Sequence, residues 1–470
     1  MRKLIIISLC LVFLVACNEN EVKVVNTSEQ VESQIESSAV TSQEVVEPVK
    51  LEMTDEIEYD EAKTYTLSEL EEDYDAFADA FIKADEVSDG EIEDVKKLLE
   101  DTKSNFIKDG MTDLEFQLVL RGLMSNLNNN DTKLAPSNSK EYYIGKNKKL
   151  FPVEIFFMNG GVYINENSED GSLQVGDRVL SINSVDAEQI TDELGKLISY
   201  NKNSFALDNI LSREFKLLYF EKYGEYDNFK IEIDRNGSHG TVEISAKNFE
   251  GIALSEITKD RGAETKDVVY ENTEYSNNKV SYLKLGTVQA EDSDVFFGQL
   301  DEAIKAINEH DPLAIILDFS NNRTTDPEII IGIFGRFIKE DTIFYGFGEG
   351  ELMEPVKKAD ITYAKDYAVM FDNRSSSQVN QLVMTLSRNS AHKSAGINTS
   401  SATISYNDFE ELELPNTGII FKYPKSILNV LGEVELFEIG VIPSEYKSDI
   451  VFSGRKTSVI ELLYKSFCSV

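Results

Sequence analysis

Apolar residues first recur at helical steps between Thr66 and Leu134. Leu67, Leu70, Tyr74, Phe77 and Phe81 advance by three or four positions, Leu98 and Leu99 lie three and four beyond Val95, and Leu118 and Leu123 lie four beyond Leu114 and three beyond Leu120. That spacing predicts a small helical subdomain, with Thr66 or Ser68 placed to cap the first helix and Ser88 or Asp89 the second. Between Phe151 and Ile244 the pattern changes to strands. Val153-Glu-Ile-Phe-Phe and Gly161-Val-Tyr-Ile flank Asn159-Gly160, a hairpin signal. Gly176 to Asn183, one helix over Ala187 to Ser199, and two alternating strands at Phe229 to Asp234 and Gly240 to Ser245 complete a mostly β module. From Val280 onward strands and helices alternate: a strand to Leu285, a helix with Phe297, Leu300, Ile304 and Ile307 on one face, and the continuous apolar strand Leu313 to Phe319. A helix at Pro327 to Ile338, a strand at Thr342 to Tyr345 and another at Tyr367 to Phe371 follow. A strand without polar positions is covered on both faces, so this part reads as an α/β domain with crossover helices.

The ends read differently. Arg2 and Lys3 precede an apolar run from Leu4 to Val15, which is too short to span a bilayer and leads into Leu14-Val15-Ala16-Cys17. This three-part layout looks like a lipoprotein signal peptide, with Cys17 as the lipidated first residue of the mature chain; an uncleaved membrane anchor is the alternative. Either way the bulk of the chain is expected outside the cytoplasm. Asn18 to about Val49 has no aromatic residue and no sustained period, and reads as a disordered tether. The other cysteines are Cys10, which leaves with the signal, and Cys468, so no disulfide is expected within one mature chain. Loss of Arg2 and Lys3 takes the formal charge from −38 to −40. That excludes the basic footprint of a nucleic-acid binder. Acidic residues concentrate between Glu44 and Glu100, more simply a solubilising surface than a recognition patch.

Candidate chemistry lies where the strand Tyr367 to Phe371 runs into Asp372-Asn373-Arg374-Ser375-Ser376-Ser377-Gln378. A serine at a strand-to-helix bend has two readings. It is a nucleophile exposed above the sheet edge, beside helix-start amides that face a developing oxyanion, or it is a helix cap. The three histidines, His239, His310 and His392, lack metal-ligand spacing, and no cofactor is expected.

The order of these parts resembles the C-terminal-processing, or tail-specific, serine peptidase family over nearly everything after the tether. In that family a helical region ends in a Leu-Gly-Asp-Gly-His-Thr type motif, a PDZ-like module carries Gly-Asp-x-Ile-Leu-Ser-Ile-Asn-Gly, and an α/β core follows. Gly176-Asp177-Arg178-Val179-Leu180-Ser181-Ile182-Asn183 matches the module motif. Leu414-Pro415-Asn416-Thr417-Gly418-Ile419 is similar to a Leu-Pro-Asn-Ser-Gly segment, and Gly440-Val441-Ile442-Pro443 to the family's terminal motif, followed by Gly454-Arg455-Lys456. The resemblance implies an α/β, crotonase-like (ClpP-like) core domain with a PDZ-like β-rich module and an N-terminal helical subdomain. It also implies boundaries: signal 1–16, tether 17–60, helical subdomain 61–140, module 141–255 and core 256–470.

Carried over residue by residue, the resemblance makes Ser375 the nucleophile position, with Gln378 where the family has Glu. Its activating partners are altered. Asp131 stands at the position of the family histidine, and a carboxylate of ordinary pKa, about 4, is a poor base for a hydroxyl. The lysine of the other branch is missing from Gly396 to Ala402, with Lys393 and Lys422 out of register, which leaves His392 as a possible substitute base. The strand-end loop Asp318-Phe319-Ser320-Asn321-Asn322-Arg323-Thr324 lacks the family glycines, and Asn is the best substitute where positive φ is needed. The orienting acid falls near Phe437, beside Glu435 and Glu438. Binding residues implied are Gly176 and Asp177 in the module and Asn321 and Asn322 in the loop. The partners implied are peptides or unfolded protein tails, docked by extending a sheet edge of the module, together with the membrane that holds Cys17. Three functions follow in order: a peptide-binding lipoprotein with weak or no hydrolysis, an active serine endopeptidase using Ser375, and a purely structural surface lipoprotein.

Overall fold

A computed structural model of the chain describes residues 58–87, 94–201, 204–248, 268–275, 277–344, 355–389, 391–396, 398–399, 405–428, 445–446 and 463–465. The signal, Cys17, most of the tether, Ser88, Asp89, Glu435, Phe437, Glu438 and residues 440–443 and 454–456 lie outside the described residues.

The helical subdomain contains α1 (Leu67–Val87), α2 (Val95–Phe106), α3 (Asp113–Met124), the short strand β1 (Lys133–Ala135), α4 (Asn138–Asn147) and β2 (Lys149–Leu150). Thr66 begins α1 in exchange with Glu69, Asp94 caps α2, and Thr112 forms a capping box with Glu115 on α3.

The module follows as β3 (Ile155–Met158), β4 (Gly161–Ile164), β5 (Arg178–Ile182), β6 (Val185–Asp186), α5 (Ala187–Gly195), α6 (Ser204–Tyr223), β7 (Asn228–Arg235), β8 (Ser238–Ser245) and β9 (Lys247–Asn248). Its sheet runs β3-β4-β5-β7-β8, with β6 on β5, while β9 pairs with β2. Asn159 and Gly160 both take positive φ, +52° and +71°, as a two-residue hairpin turn requires. The module has two helices where the sequence pattern predicted one. The missed helix, α6, buries Leu211, Phe215 and Leu218 in the module core and Leu217 and Phe220 against Ile144 and Leu150. Buried on two sides, it has polar residues such as Asp208, Ser212 and Lys216 turned inward, so no simple apolar stripe marks it in the sequence.

The α/β core comprises β10 (Val268–Tyr275), β11 (Asn278–Leu285), α7 (Ser293–His310), β12 (Ala314–Asp318), α8 (Pro327–Phe334), β13 (Tyr367–Phe371), α9 (Ser377–Asn389) and β14 (Ala391–Gly396). After it come β15 (Ser405–Glu413), β16 (Ile420–Leu428) and β17 (Glu445–Tyr446). The core sheet has the order β10-β11-β12-β13-β14-β17, parallel from β11 to β17, with β10 antiparallel at the edge. Both faces are covered. Ile315, Leu317, Val369 and Phe371 pack under the helix layer, while the alternate residues Ala314, Ile316, Ala368 and Met370 meet Phe156 and Met158 of β3. That alternation explains why β13 has no polar position and β12 none before its last residue, Asp318. Of the strand expected at Thr342 to Tyr345, the described residues show an isolated bridge from Thr342 to Val356, and Tyr345 lies outside them.

The hairpin β15–β16 leaves the core sheet and pairs with β1 beside α1. Its turn is held by Asp73, fully buried on α1, whose carboxylate accepts from the amides of Asn416 and Thr417, both at 2.8 Å, from Asn416 Nδ2 at 3.0 Å and from Thr417 Oγ1 at 2.6 Å. The Leu-Pro-Asn-Thr-Gly segment is thus a staple between the two ends of the fold. Asp73→Ala is expected to lower unfolding free energy by about 2–3 kcal/mol, since several donors to one buried carboxylate lose their acceptor; the urea midpoint checks it.

Candidate functional site

The C-terminal ends of β12 and β13 carry two neighbouring loops, and Ser375 sits in the second. The two readings of the serine run separate here. Ser376 is the cap: its Oγ accepts the Val379 amide at 3.1 Å, and its carbonyl accepts the Asn380 amide at 2.9 Å. Ser375 takes no part in capping. It is 4% exposed, and its Oγ donates to the Phe319 carbonyl at 2.9 Å. Among the described residues no histidine or lysine nitrogen is its partner.

The amides that would meet an oxyanion are engaged within the loops. Ser320 N–H donates to Asp318 Oδ1 at 2.8 Å, Asn321 N–H to Asp372 Oδ1 at 2.9 Å, and Asn322 N–H to Phe319 O at 3.1 Å. Arg323 N–H donates to Thr287 Oγ1 and Thr324 N–H to Asn322 Oδ1, both at 3.0 Å. Ser376 N–H, directly after the serine, donates to Asn322 O at 3.0 Å. Asn321 adopts φ +56°. The Asn322 side chain donates to Leu285 O and Gly286 O, both at 3.0 Å, tying the loop to the end of β11. Thr324, at a family glycine position, is fully buried and receives the Val288 amide on its hydroxyl.

Asp372 and Arg374 organise both loops, and sequence reasoning passed over them. Arg374 donates to Asp372 Oδ2 from Nε at 2.9 Å and from Nη2 at 2.5 Å, while Asp372 Oδ1 also accepts the Arg374 amide at 3.1 Å. Burial works against ionisation of Asp372, but the Arg374 charge and the hydrogen bonds from Arg374 and Asn321 prevail and hold the carboxyl below its usual range. The available signal was an acid and a base two positions apart just after an apolar strand.

Asp131 lies on the loop after α3. Burial pushes its carboxyl up, against the pull of Lys133 and Arg213. The loop is fastened by Ser199 Oγ, which donates to the Leu127 and Asn129 carbonyls at 3.0 and 2.6 Å, and by the Asn201 amide on Asn130 Oδ1 at 2.9 Å. Asn373, beside Ser375, donates to Phe205 O at 3.4 Å. The Asp131 loop and the Ser375 turn therefore both meet the chain around the start of α6.

His392 is placed at the far end of the sheet from Ser375, which argues against its reading as a substitute base. It lies on β14, whose first residues pair with Tyr367 and Ala368 at the start of β13. Ser375 follows the other end of β13, beyond Phe371, so at ~3.3 Å per residue their main chains are separated by more than ~13 Å along the sheet. Lys393 starts from the same distant end; the side chains of both lie outside the described residues.

In the module, Gly176 takes φ +92° and its amide bonds Ile164 O at 2.9 Å. Asp177 is buried, and its carboxylate accepts from Arg235 Nε at 2.7 Å, from Arg235 Nη2 at 2.5 Å and from the Gln174 amide at 2.8 Å. These two residues shape the turn into β5.

A parallel core sheet, a β module packed on its face and a serine in the turn after β13 make up a fold that solved structures share. Among solved structures, mature CPAF matches with a TM-score of 0.62 at 13% identity, over 85% of this chain and 98% of that one. Mature CPAF complexed with lactacystin gives 0.62 and 13%, over 86% and 100%. The photosystem II D1 C-terminal processing protease gives 0.49 and 13%, over 84% and 97%. At these identities the likeness is one of fold. No protein-family model matches the chain, and no curated protein matches it.

Proposed function

We propose that this chain is a membrane-anchored extracytoplasmic lipoprotein, held through Cys17, that uses a tail-specific peptidase fold to bind peptides or unfolded protein tails with weak or no hydrolysis. The observation that carries the reading is the state of Ser375: its proton is directed to the Phe319 carbonyl while the surrounding amides are engaged. Acyl transfer needs a nucleophile with a base and free oxyanion donors, and here the serine has neither among the described residues. Binding is supported by polar atoms left over beside it. The Asn321 side-chain amide, Ser320 Oγ and Asn373 Oδ1 are buried without hydrogen-bond partners among the described residues, and a bound main chain would supply both donors and acceptors. The competing reading, an active serine endopeptidase, is favoured by the freedom of Ser375 from the capping role. A serine-reactive fluorophosphonate separates the two. The wild-type chain is expected to label no more than Ser375→Ala; strong labelling that depends on Ser375 would replace this proposal with the endopeptidase.

A further inference from the structure

The module sheet has two edges, and they are finished differently. At β3 the outward amides are taken by α6: Phe157 N–H donates to Ser212 Oγ at 2.9 Å and Asn159 N–H to Asp208 Oδ2 at 2.8 Å. The other edge is β8, in unbroken register with β7 from Ser238 to Ser245. Two contacts fix the phase of that ladder. Ala246 N–H donates to Asp227 O at 2.9 Å, and Lys230 on β7 turns its main-chain groups away from β8, to Asn183. Hydrogen-bonded pairs alternate in an antiparallel ladder, so Gly240, Val242 and Ile244 bond to β7, while His239, Thr241, Glu243 and Ser245 point N–H and C=O outward. Those four residues are exposed, and among the described residues no main-chain partner meets them.

An edge strand ordinarily carries some device against pairing: a proline, a lysine, a bulge, an inward charge or a covering helix. The β8 strand, Ser-His-Gly-Thr-Val-Glu-Ile-Ser, has none of these among the described residues, and Glu243 lies on the solvent face. Charge also changes here. The chain carries −38, yet residues 228–248 hold three basic side chains (Lys230, Arg235, Lys247) and three acidic ones (Glu232, Asp234, Glu243) and so balance. On the core face, Val242 and Ile244 lie beside the buried Ile231 and Phe229 of β7 but are themselves half-buried. Beside Gly240 there is room for a further side chain: a Cβ at that position has Ile233 Cγ1, 3.9 Å away, as its nearest neighbour.

We propose that β8 is a contact between two copies of this chain, the two strands pairing antiparallel about a two-fold axis at Val242 and joining the module sheets. The sequence of the strand is complementary to itself in that register. Thr241 pairs with Glu243 of the second copy and His239 with Ser245, so every outward amide and carbonyl from His239 to Ser245 is used. On the core face Val242 meets Val242, and Ile244 fills the space beside Gly240. No like charges stand opposite each other, and His239 lies diagonal to Glu243. A shift of two residues one way sets Glu243 against Glu243; the other way leaves Ser245 unpaired and puts Ile244 opposite Ser238. Such an interface is isologous and closes at the dimer. Because the rest of each copy is acidic, long-range repulsion opposes the pair and salt screens it.

The test is sedimentation equilibrium of the full chain in density-matched detergent. Wild type is expected to dimerise with a Kd on the order of 10 µM, as a small interface gives, and to tighten as NaCl is raised to about 0.3 M. Thr241→Pro removes an outward amide and leaves the bonds to β7 in place. It is expected to weaken the dimer at least about tenfold with an unchanged urea midpoint. A wild type that stays monomeric overturns the pairing, as does a dimer that weakens with salt or that a folded Thr241→Pro variant keeps. Should Thr241→Pro fail to fold, Val242→Cys with Cys468→Ser replaces it. Across the axis the two residues at 242 form a non-hydrogen-bonded pair with Cα atoms ~4.5 Å apart, within disulfide reach. Mild oxidation is expected to give a covalent dimer, while Ser238→Cys in the same background, with its two copies at opposite ends of the paired strands, gives none. Absence of the Val242→Cys product, or equal yield from Ser238→Cys, overturns the proposal.

Discussion

Asp372→Ala is expected to destabilise the chain by about 3–5 kcal/mol, because it leaves a buried guanidinium without its partner. Arg374 is 9% exposed, and Asp372 provides its bidentate acceptor. The same carboxylate receives the amides of Asn321 and Arg374, so its removal strands two main-chain donors as well. The loss should depend on pH in a direction fixed by the charge. The folded-state pKa of Asp372 is below its unfolded value of 3.8, so its contribution is fully present above that value and fades as pH falls through the lower folded one. Urea denaturation at pH 7 is expected to show the full difference between wild type and variant, and at strongly acid pH a smaller one. The Asn321 amide, released from Asp372, would also be the first donor of the loop made available beside Ser375, which gives the stability measurement a counterpart in the fluorophosphonate assay.

Much of the core was legible because its rules are local. The strand Tyr367–Phe371 was read with its observed ends, since a uniformly apolar run bounded by charges has no alternative register. The Asn159-Gly160 turn was equally plain, since few residue pairs accept two positive φ values in succession. Where the reading failed, tertiary burial had removed the signal. Helix α6 lies between the module and the helical subdomain, so apolar residues face both and polar ones are interspersed among them, which blurs its period. His392 looked close to Ser375 because it follows the same helix, yet a crossover returns the chain to the beginning of the next parallel strand, at the other end of the sheet. The pair Asp372 and Arg374 drew no reading, because charges after an apolar strand are ordinarily solvated, and the fold turned both inward. As for the serines, three identical side chains in a row carry no mark of which will cap; only the start of α9 assigns that role to Ser376.

The other large effect is expected at the opposite end of α6. Glu221 is fully surrounded: Arg121 Nε lies 2.7 Å from Oε2, Gln117 Nε2 donates to Oε1 at 2.5 Å, and Lys140 reaches Gln117 Oε1 at 3.1 Å while standing 3.6 Å from Asp113. The Arg121 and Glu221 side chains are 2% and 0% exposed, and burial is the main cause pushing the Lys140 ammonium pKa down, against the neighbouring charges of Asp113 and Glu221. Removing Glu221 leaves two buried cations facing one carboxylate. Glu221→Ala is therefore expected to cost about 3–5 kcal/mol, whereas Glu221→Leu combined with Arg121→Met, which removes both charges at similar volume, should recover most of that loss. A double-mutant cycle in urea measures the difference as a coupling energy. Recovery in the double variant would identify the loss in Glu221→Ala as that of an unpaired charge. If instead the double variant is as unstable as Glu221→Ala, the network matters for its shape and hydrogen bonds. In both cases the C-terminal half of α6 is fixed by buried charge, while Ile210, Leu211, Phe215 and Leu218 fix the helix to the module core.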